Sequence, residues 1–135
     1  MWKGSTFVEF LIYMTIAFLI FSLTIPNVRA WMERTGSIAE IKGIKNSIRY
    51  ARFLSFLKNN EVEVHISQKN LKVMLDKKIV KTSPLNFVKI EGNKCFAFSK
   101  GVPYISGTLN FFVNNSFVAK ISVTPVIGKI NLAWK

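Results

Sequence analysis

The chain has 135 residues, 50% of them apolar, and a formal charge of +12 from 19 Lys and Arg against 7 Asp and Glu. The length suits one domain-sized unit, and the apolar content excludes a disordered chain. One His, one Cys and one Asp exclude most catalytic constellations. A tetrahedral metal site needs three or four side-chain ligands, a nucleophile–His site would have to use His65, and a lone Cys closes no internal disulfide. The composition points to a binding or structural protein rather than an enzyme, with no cofactor, metal or small-molecule substrate expected.

Phe10 to Ile25 reads FLIYMTIAFLIFSLTI and contains no charge. Counted from Ser5, the segment is 21 residues before Pro26, about 31 Å as a helix and close to the roughly 30 Å hydrocarbon core of a bilayer. A buried core helix is the first alternative, but this helix is greasy on every side. A secretory signal cut after Ala30 is the second, but its apolar region is shorter and carries no acid at its head. Glu9 sits at the head of this run. A carboxylate at the edge of a spanning segment costs a few kcal/mol on insertion scales and usually has a functional partner. Lys3 and Arg29 lie beyond the two ends of the segment, so the partner is interfacial water or another molecule.

Pro26 lacks an amide hydrogen and predicts a kink. Beyond it, Ile38, Ile41, Ile44, Ile48, Ala51 and Leu54 recur at spacings of three and four, the pattern of an amphipathic helix. Arg34, Lys42, Lys45, Arg49, Arg52 and Lys58 fall between them, read as a solvated face. Gly36 and Gly43 weaken the helix, with a break or loose turn expected near Gly36, and Asn59-Asn60 is its stop. From Glu61 the period becomes two. Glu61 to Ile66 alternates as a half-buried strand with His65 on its polar face. Strands follow at 71–75, 79–80, 87–90, 95–98, 108–113, 117–124 and 129–134. Turns are expected at Gln68-Lys69-Asn70, Asp76-Lys77-Lys78, Asn114-Asn115-Ser116 and Pro125 to Gly128. Cys95 reads as a small buried hydrophobe. A long helix followed by short antiparallel strands is an α+β arrangement.

The stretch Lys3-Gly4-Ser5-Thr6-Phe7-Val8-Glu9-Phe10-Leu11-Ile12 resembles the leader junction of type IV prepilins and pseudopilins. The resemblance implies that a prepilin peptidase cuts after Gly4, that Ser5 becomes the methylated N-terminal residue, and that Glu9 is the fifth residue of the mature chain. Pro26 matches the late helix Pro of that family. Ser5 stands where the family usually has Phe. The downstream elements Phe98-Ser99-Lys100-Gly101, Gly107-Thr108 and Gly128-Lys129 resemble the minor pseudopilins of the GspH/FimT type, with Lys129 where those have Arg. The implied organisation is a leader at 1–4, a transmembrane and filament-core helix at 5–28, an amphipathic helix at 29–60 and a β-sheet head at 61–135. The implied location is the bacterial inner membrane, single-pass, with the head extracytoplasmic, then a surface or periplasmic filament. Lysine and arginine flanking the span (Lys3 before it, Arg29 and Arg34 after it) taken alone favour the opposite orientation; the cleavage motif is the more specific signal.

In such a filament the Glu9 carboxylate would neutralise the α-amino group of a neighbouring Ser5, a pairing that favours one subunit register. The implied function is a minor pilin or pseudopilin, a structural subunit of a type II secretion pseudopilus or type IV pilus, in a priming or tip complex. Its partners would be other pilin subunits, the prepilin peptidase and the inner membrane. Two alternatives stay open. Some FimT-type pilins serve DNA uptake, and the basic excess allows DNA as a ligand; Lys120, Lys129, Trp134 and Lys135 are the residues where it would bind. The other alternative is a signal-anchored membrane protein with a β domain and no filament role.

Overall fold

The computed structural model describes residues 3–135, with the side chains of residues 3–5 and Pro26 outside that description. Met1 and Trp2 of the expected leader, and the Ser5 side chain, therefore lie outside the described residues. The chain divides into two compact units, Met1–Thr35 and Gly36–Lys135. One helix, α1 (Lys3–Lys58), contributes to both. It stays helical through Pro26 and through Gly36. The break expected near Gly36 is not there. That glycine instead makes room for a ring: a Cβ on it would sit 2.7 Å from Cε2 of Phe87.

In the second unit α1 is one-sided, as its three-and-four spacing requires. Ile41, Ile44, Ile48, Ala51 and Leu54 are buried, Ile38 is only half-buried, and Ser37, Ser47 and Ser55 are buried beside them. Nine strands follow: β1 (Glu61–Ile66), β2 (Asn70–Leu75), β3 (Lys78–Pro84), β4 (Lys89–Gly92), β5 (Cys95–Ser99), β6 (Val102–Ile105), β7 (Gly107–Val113), β8 (Ser116–Val123) and β9 (Ile130–Trp134). They form two antiparallel sheets, ordered β3-β2-β1-β5-β6 and β4-β7-β8-β9. This is the expected α+β arrangement of a long helix and an antiparallel head. Val62 and Val64 point inward while Glu61, Glu63 and His65 face out. Phe96, Phe98, Phe111, Leu109 and Ile121 close the same hydrophobic cluster as the α1 stripe. The hairpin turns Asp76-Lys77, Lys100-Gly101 and Asn114-Asn115 have positive φ at both residues, as the twist-compatible two-residue turns demand. Among the strands, only β6 is absent from the sequence reading. It contains Pro103 and lies at a sheet edge, the place where a strand tolerates a missing N–H.

The chain passes between the sheets rather than meandering through one. After β3 it leaves for β4, returns for β5 and β6, and leaves again for β7. Side chains fix these crossings. Glu40 on α1 accepts hydrogen bonds from the backbone N–H groups of Asn86 (2.6 Å), Phe87 (3.0 Å) and Val88 (3.2 Å). Asn93 donates to the Ser106 carbonyl at 3.1 Å and accepts from the Cys95 N–H at 3.3 Å, tying two crossings together. A Cβ on Gly107 would lie 2.9 Å from the Asn93 amide nitrogen, which explains the glycine there. Glu40→Ala leaves three N–H groups without their acceptor and should cost about 1–3 kcal/mol, with Glu40→Gln losing less; urea unfolding of the two variants measures this.

Candidate assembly surfaces

No described apolar side chain of α1 in the first unit is buried. Phe7, Leu11, Ile12, Ile16, Phe18, Phe21 and Leu23 are all exposed. This part of the helix is long and apolar enough to cross a membrane. Its few polar groups are satisfied within the helix: Thr15, Ser22 and Thr24 donate to the carbonyls of Leu11, Leu19 and Ile20 at 2.7–2.9 Å. Such back-bonding makes a hydroxyl tolerable in a medium that offers no water. Glu9 has a neutral partner within its own helix. The Tyr13 hydroxyl donates to its carboxylate at 3.3 Å, one turn along the same face, where the i, i+4 spacing could have revealed it.

The head carries a second constellation, built around a residue read as solvated. All the guanidinium nitrogens of Arg52 are used. Nε donates to the Gly101 carbonyl (3.0 Å), one terminal nitrogen to Gly128 (2.9 Å) and the other to Ile127 (3.0 Å). Ser55, three residues on, accepts the Gly101 N–H at 3.0 Å and donates to the Arg52 carbonyl at 2.8 Å. One turn of α1 thus clasps the β5–β6 turn of one sheet and the β8–β9 turn of the other. The clasp explains both glycines. A Cβ on Gly128, at φ +66°, would lie 3.0 Å from Pro103 Cδ and 3.2 Å from Arg52, and one on Gly101, at φ +80°, would lie 3.3 Å from Phe56. Val126 in the same β8–β9 turn has φ +67°, a costly conformation for a β-branched residue. The Arg52 bonds to the next two carbonyls help hold it. Beside the clasp lies a groove of about 490 Å³ lined by Arg49, Phe53, Phe56, Lys100, Val102 and Ile130.

The residues singled out for DNA come together only in part: the Lys135 N–H donates to the Val118 carbonyl, which sets Lys135 two positions from Lys120 on the same face, whereas Trp134 and Lys129 lie apart from them. Lys120 pairs with Ala133 across β8 and β9, while Trp134 pairs with the buried Ala119. Neighbouring positions on a strand point to opposite faces, so Lys120 and Trp134 face apart. Lys129 precedes β9 and Lys135 follows it, at opposite ends of a strand about 17 Å long.

No protein-family model and no curated protein sequence matches the chain. Solved structures do. The type IV minor pilin FimU of Pseudomonas aeruginosa superposes with a TM-score of 0.59 at 12% identity, covering 74% of this chain and 91% of FimU. A second crystal form of FimU gives 0.56 at 16% identity, covering 76% and 92%. The chain has a type IV pilin-like fold.

Within that pilin-like head, His65 and Cys95 face each other across β1 and β5, and the His65 ring lies 2.7 Å from Glu63. Among the described residues no cluster of three His, Cys, Asp or Glu side chains could hold a metal. Burial, and then the Glu63 carboxylate, pushes the Cys95 thiol up, so the thiolate forms at higher pH than in an ordinary cysteine. Alkylation of Cys95 should therefore reach its half-maximal rate above the ordinary thiol range, and Glu63→Gln should move that midpoint down. For the clasp, Arg52→Lys keeps the charge but not the planar fork. It should lose about 2–3 kcal/mol, measured by chemical unfolding.

Proposed function

We propose that this chain is a minor pilin or pseudopilin, a structural subunit that is carried in the membrane by the first part of α1 and assembles through it into a type IV pilus or a type II secretion pseudopilus. The observation that carries this reading is the conjunction of a pilin-like head with an exposed apolar helical run that has a carboxylate, Glu9, at its head. FimU, the protein of like fold, is a minor pilin, which favours a place in a priming or tip complex. The inner membrane is the starting location, with the head outside the cytoplasm. Prepilin peptidase cuts after Gly4, and Ser5 is methylated.

Glu9 then has a defined task. In a bundle of apolar helices an unpaired charge is expensive, and a pair in a weakly screened setting is strongly coupled. The Ser5 α-amino group released by cleavage is the cation that the apolar segment from Phe10 to Ile25 lacks. A subunit seated so that its Glu9 meets a neighbour's Ser5 amine removes two costs at once, which selects that register over its neighbours.

The mass of the intact protein from membranes tests the reading. Loss of Met1–Gly4 with gain of one methyl group, only when the peptidase is present, is the expected result. An unprocessed chain, or one cut after Ala30, would overturn it and leave an anchored or secreted β domain. In a processed background, Glu9→Ala should leave membrane insertion intact and abolish incorporation into filaments, read by cell fractionation against sheared filaments.

A further inference from the structure

Two surfaces of the head carry opposite charge around an apolar centre. The first is the groove beside α1. Phe53 and Phe56 are 58% and 68% exposed in it, and Val102 is also exposed. Arg52 is consumed by its three carbonyls, so Arg49 and Lys100 are the rim cations. The second is a hollow of about 290 Å³ lined by Glu61, Glu63, Met74, Asp76 and Lys77. Its acids are held in place: Asn60 donates to Asp76 at 2.6 Å, and His65 lies 2.7 Å from Glu63. Burial, then the charges of Glu61 and Glu63, pushes the Tyr104 phenol up. The two surfaces share no lining residue.

An aromatic centre with a charged rim is the anatomy of a protein interface. We propose that the groove of one copy docks on the acidic hollow of a second copy, with Phe53 and Phe56 against Met74, and Arg49 and Lys100 against Glu61 and Glu63. The proposal deepens the filament-subunit reading and rests on it for the occupant being a like subunit. The net charge of +12 opposes association at long range. At physiological ionic strength the Debye length is about 8 Å, so charges far apart are screened while those in contact are not. Nucleic acid suits the groove less well. A strand-binding channel tracks many phosphates, and here two cations flank a groove that includes aliphatic Val102 and Ile130.

The test uses the full chain in detergent micelles, as an equal mixture of ¹⁴N and ¹⁵N protein treated with a zero-length carbodiimide cross-linker. Mass spectrometry should find mixed-isotope peptides joining Lys100 to Glu61 or Glu63. In sedimentation, R49E/K100E and E61K/E63K should each weaken self-association about tenfold, and an equimolar mixture of the two variants should restore it. That restoration also shows that both variants fold. Association through the apolar helix is common to all the samples and does not vary with these charges. Only same-isotope cross-links, unchanged association in both variants, or a mixture that fails to recover would overturn the contact. Binding of oligothymidylate that Phe53→Ser and Phe56→Ser abolish, with no mixed-isotope product, would assign the groove to nucleic acid instead. None of these readouts depends on leader cleavage or on filament formation, so failure here and failure of the filament reading are separate results.

Discussion

One stripe on α1 is the surface on which both sheets meet. Ile41, Ile44, Ile48, Ala51 and Leu54 belong to the same buried cluster as Val62 and Phe96 of one sheet and Leu109 and Ile121 of the other. Neither sheet is a closed layer by itself; each has one apolar face, and the helix supplies the cover. Because the stripe alone does not fix how far the sheets slide along it, polar contacts at its two ends set the position. Glu40 grips the β3–β4 crossing and Arg52 grips the β5–β6 and β8–β9 turns. About three helical turns separate the two grips, and Ile41, Ile44, Ile48 and Ala51 lie between them.

What was legible in the sequence follows from the range of the interaction that decides it. The period-two run of β1, the turns at Asp76-Lys77 and Asn114-Asn115 and the apolar stripe of α1 are local, and they stand where the residues place them. The division into two sheets was not legible, because β4 and β5 are separated by only two residues yet pair with partners in different sheets. That choice rests on contacts such as Asn93 with Ser106. Arg52 was hidden for the same reason. On a helical wheel it is one more cation on the polar face, and its three acceptors lie 49 to 76 residues away. Gly101 and Gly128 were visible as a pattern; the two-residue turn accounts locally for the positive φ of Gly101, while Gly128 also has a tertiary reason, its close approach to Pro103 and Arg52.

The charge excess contributes little to the fold. The ion pairs Arg29–Glu33 and Lys89–Glu91 and the His65–Glu63 hydrogen bond are all well exposed, and exposed ion pairs contribute about 0–1 kcal/mol. The side-chain charges that matter structurally, Glu40 and Arg52, meet backbone groups instead of each other. The positive surplus is therefore free to act outward, over the whole head, and it is diluted along the chain rather than focused at β8 and β9.

The first unit shows the opposite economy. Its described apolar side chains are exposed, and leaving such surface in water costs about 25 cal/mol per Å². On the reading proposed above, lipid or other helices cover them. Lipid satisfies the side chains but not Glu9, for which Tyr13 offers one neutral hydrogen bond. A bundle of like helices satisfies both, provided that a cation arrives with it. The helix is thus tolerable in a bilayer and better matched to a bundle, and the difference between the two states is concentrated in one carboxylate near its start. On the filament reading proposed above, such a subunit would rest in the membrane as a monomer and gain most where a neighbour brings its own amino terminus.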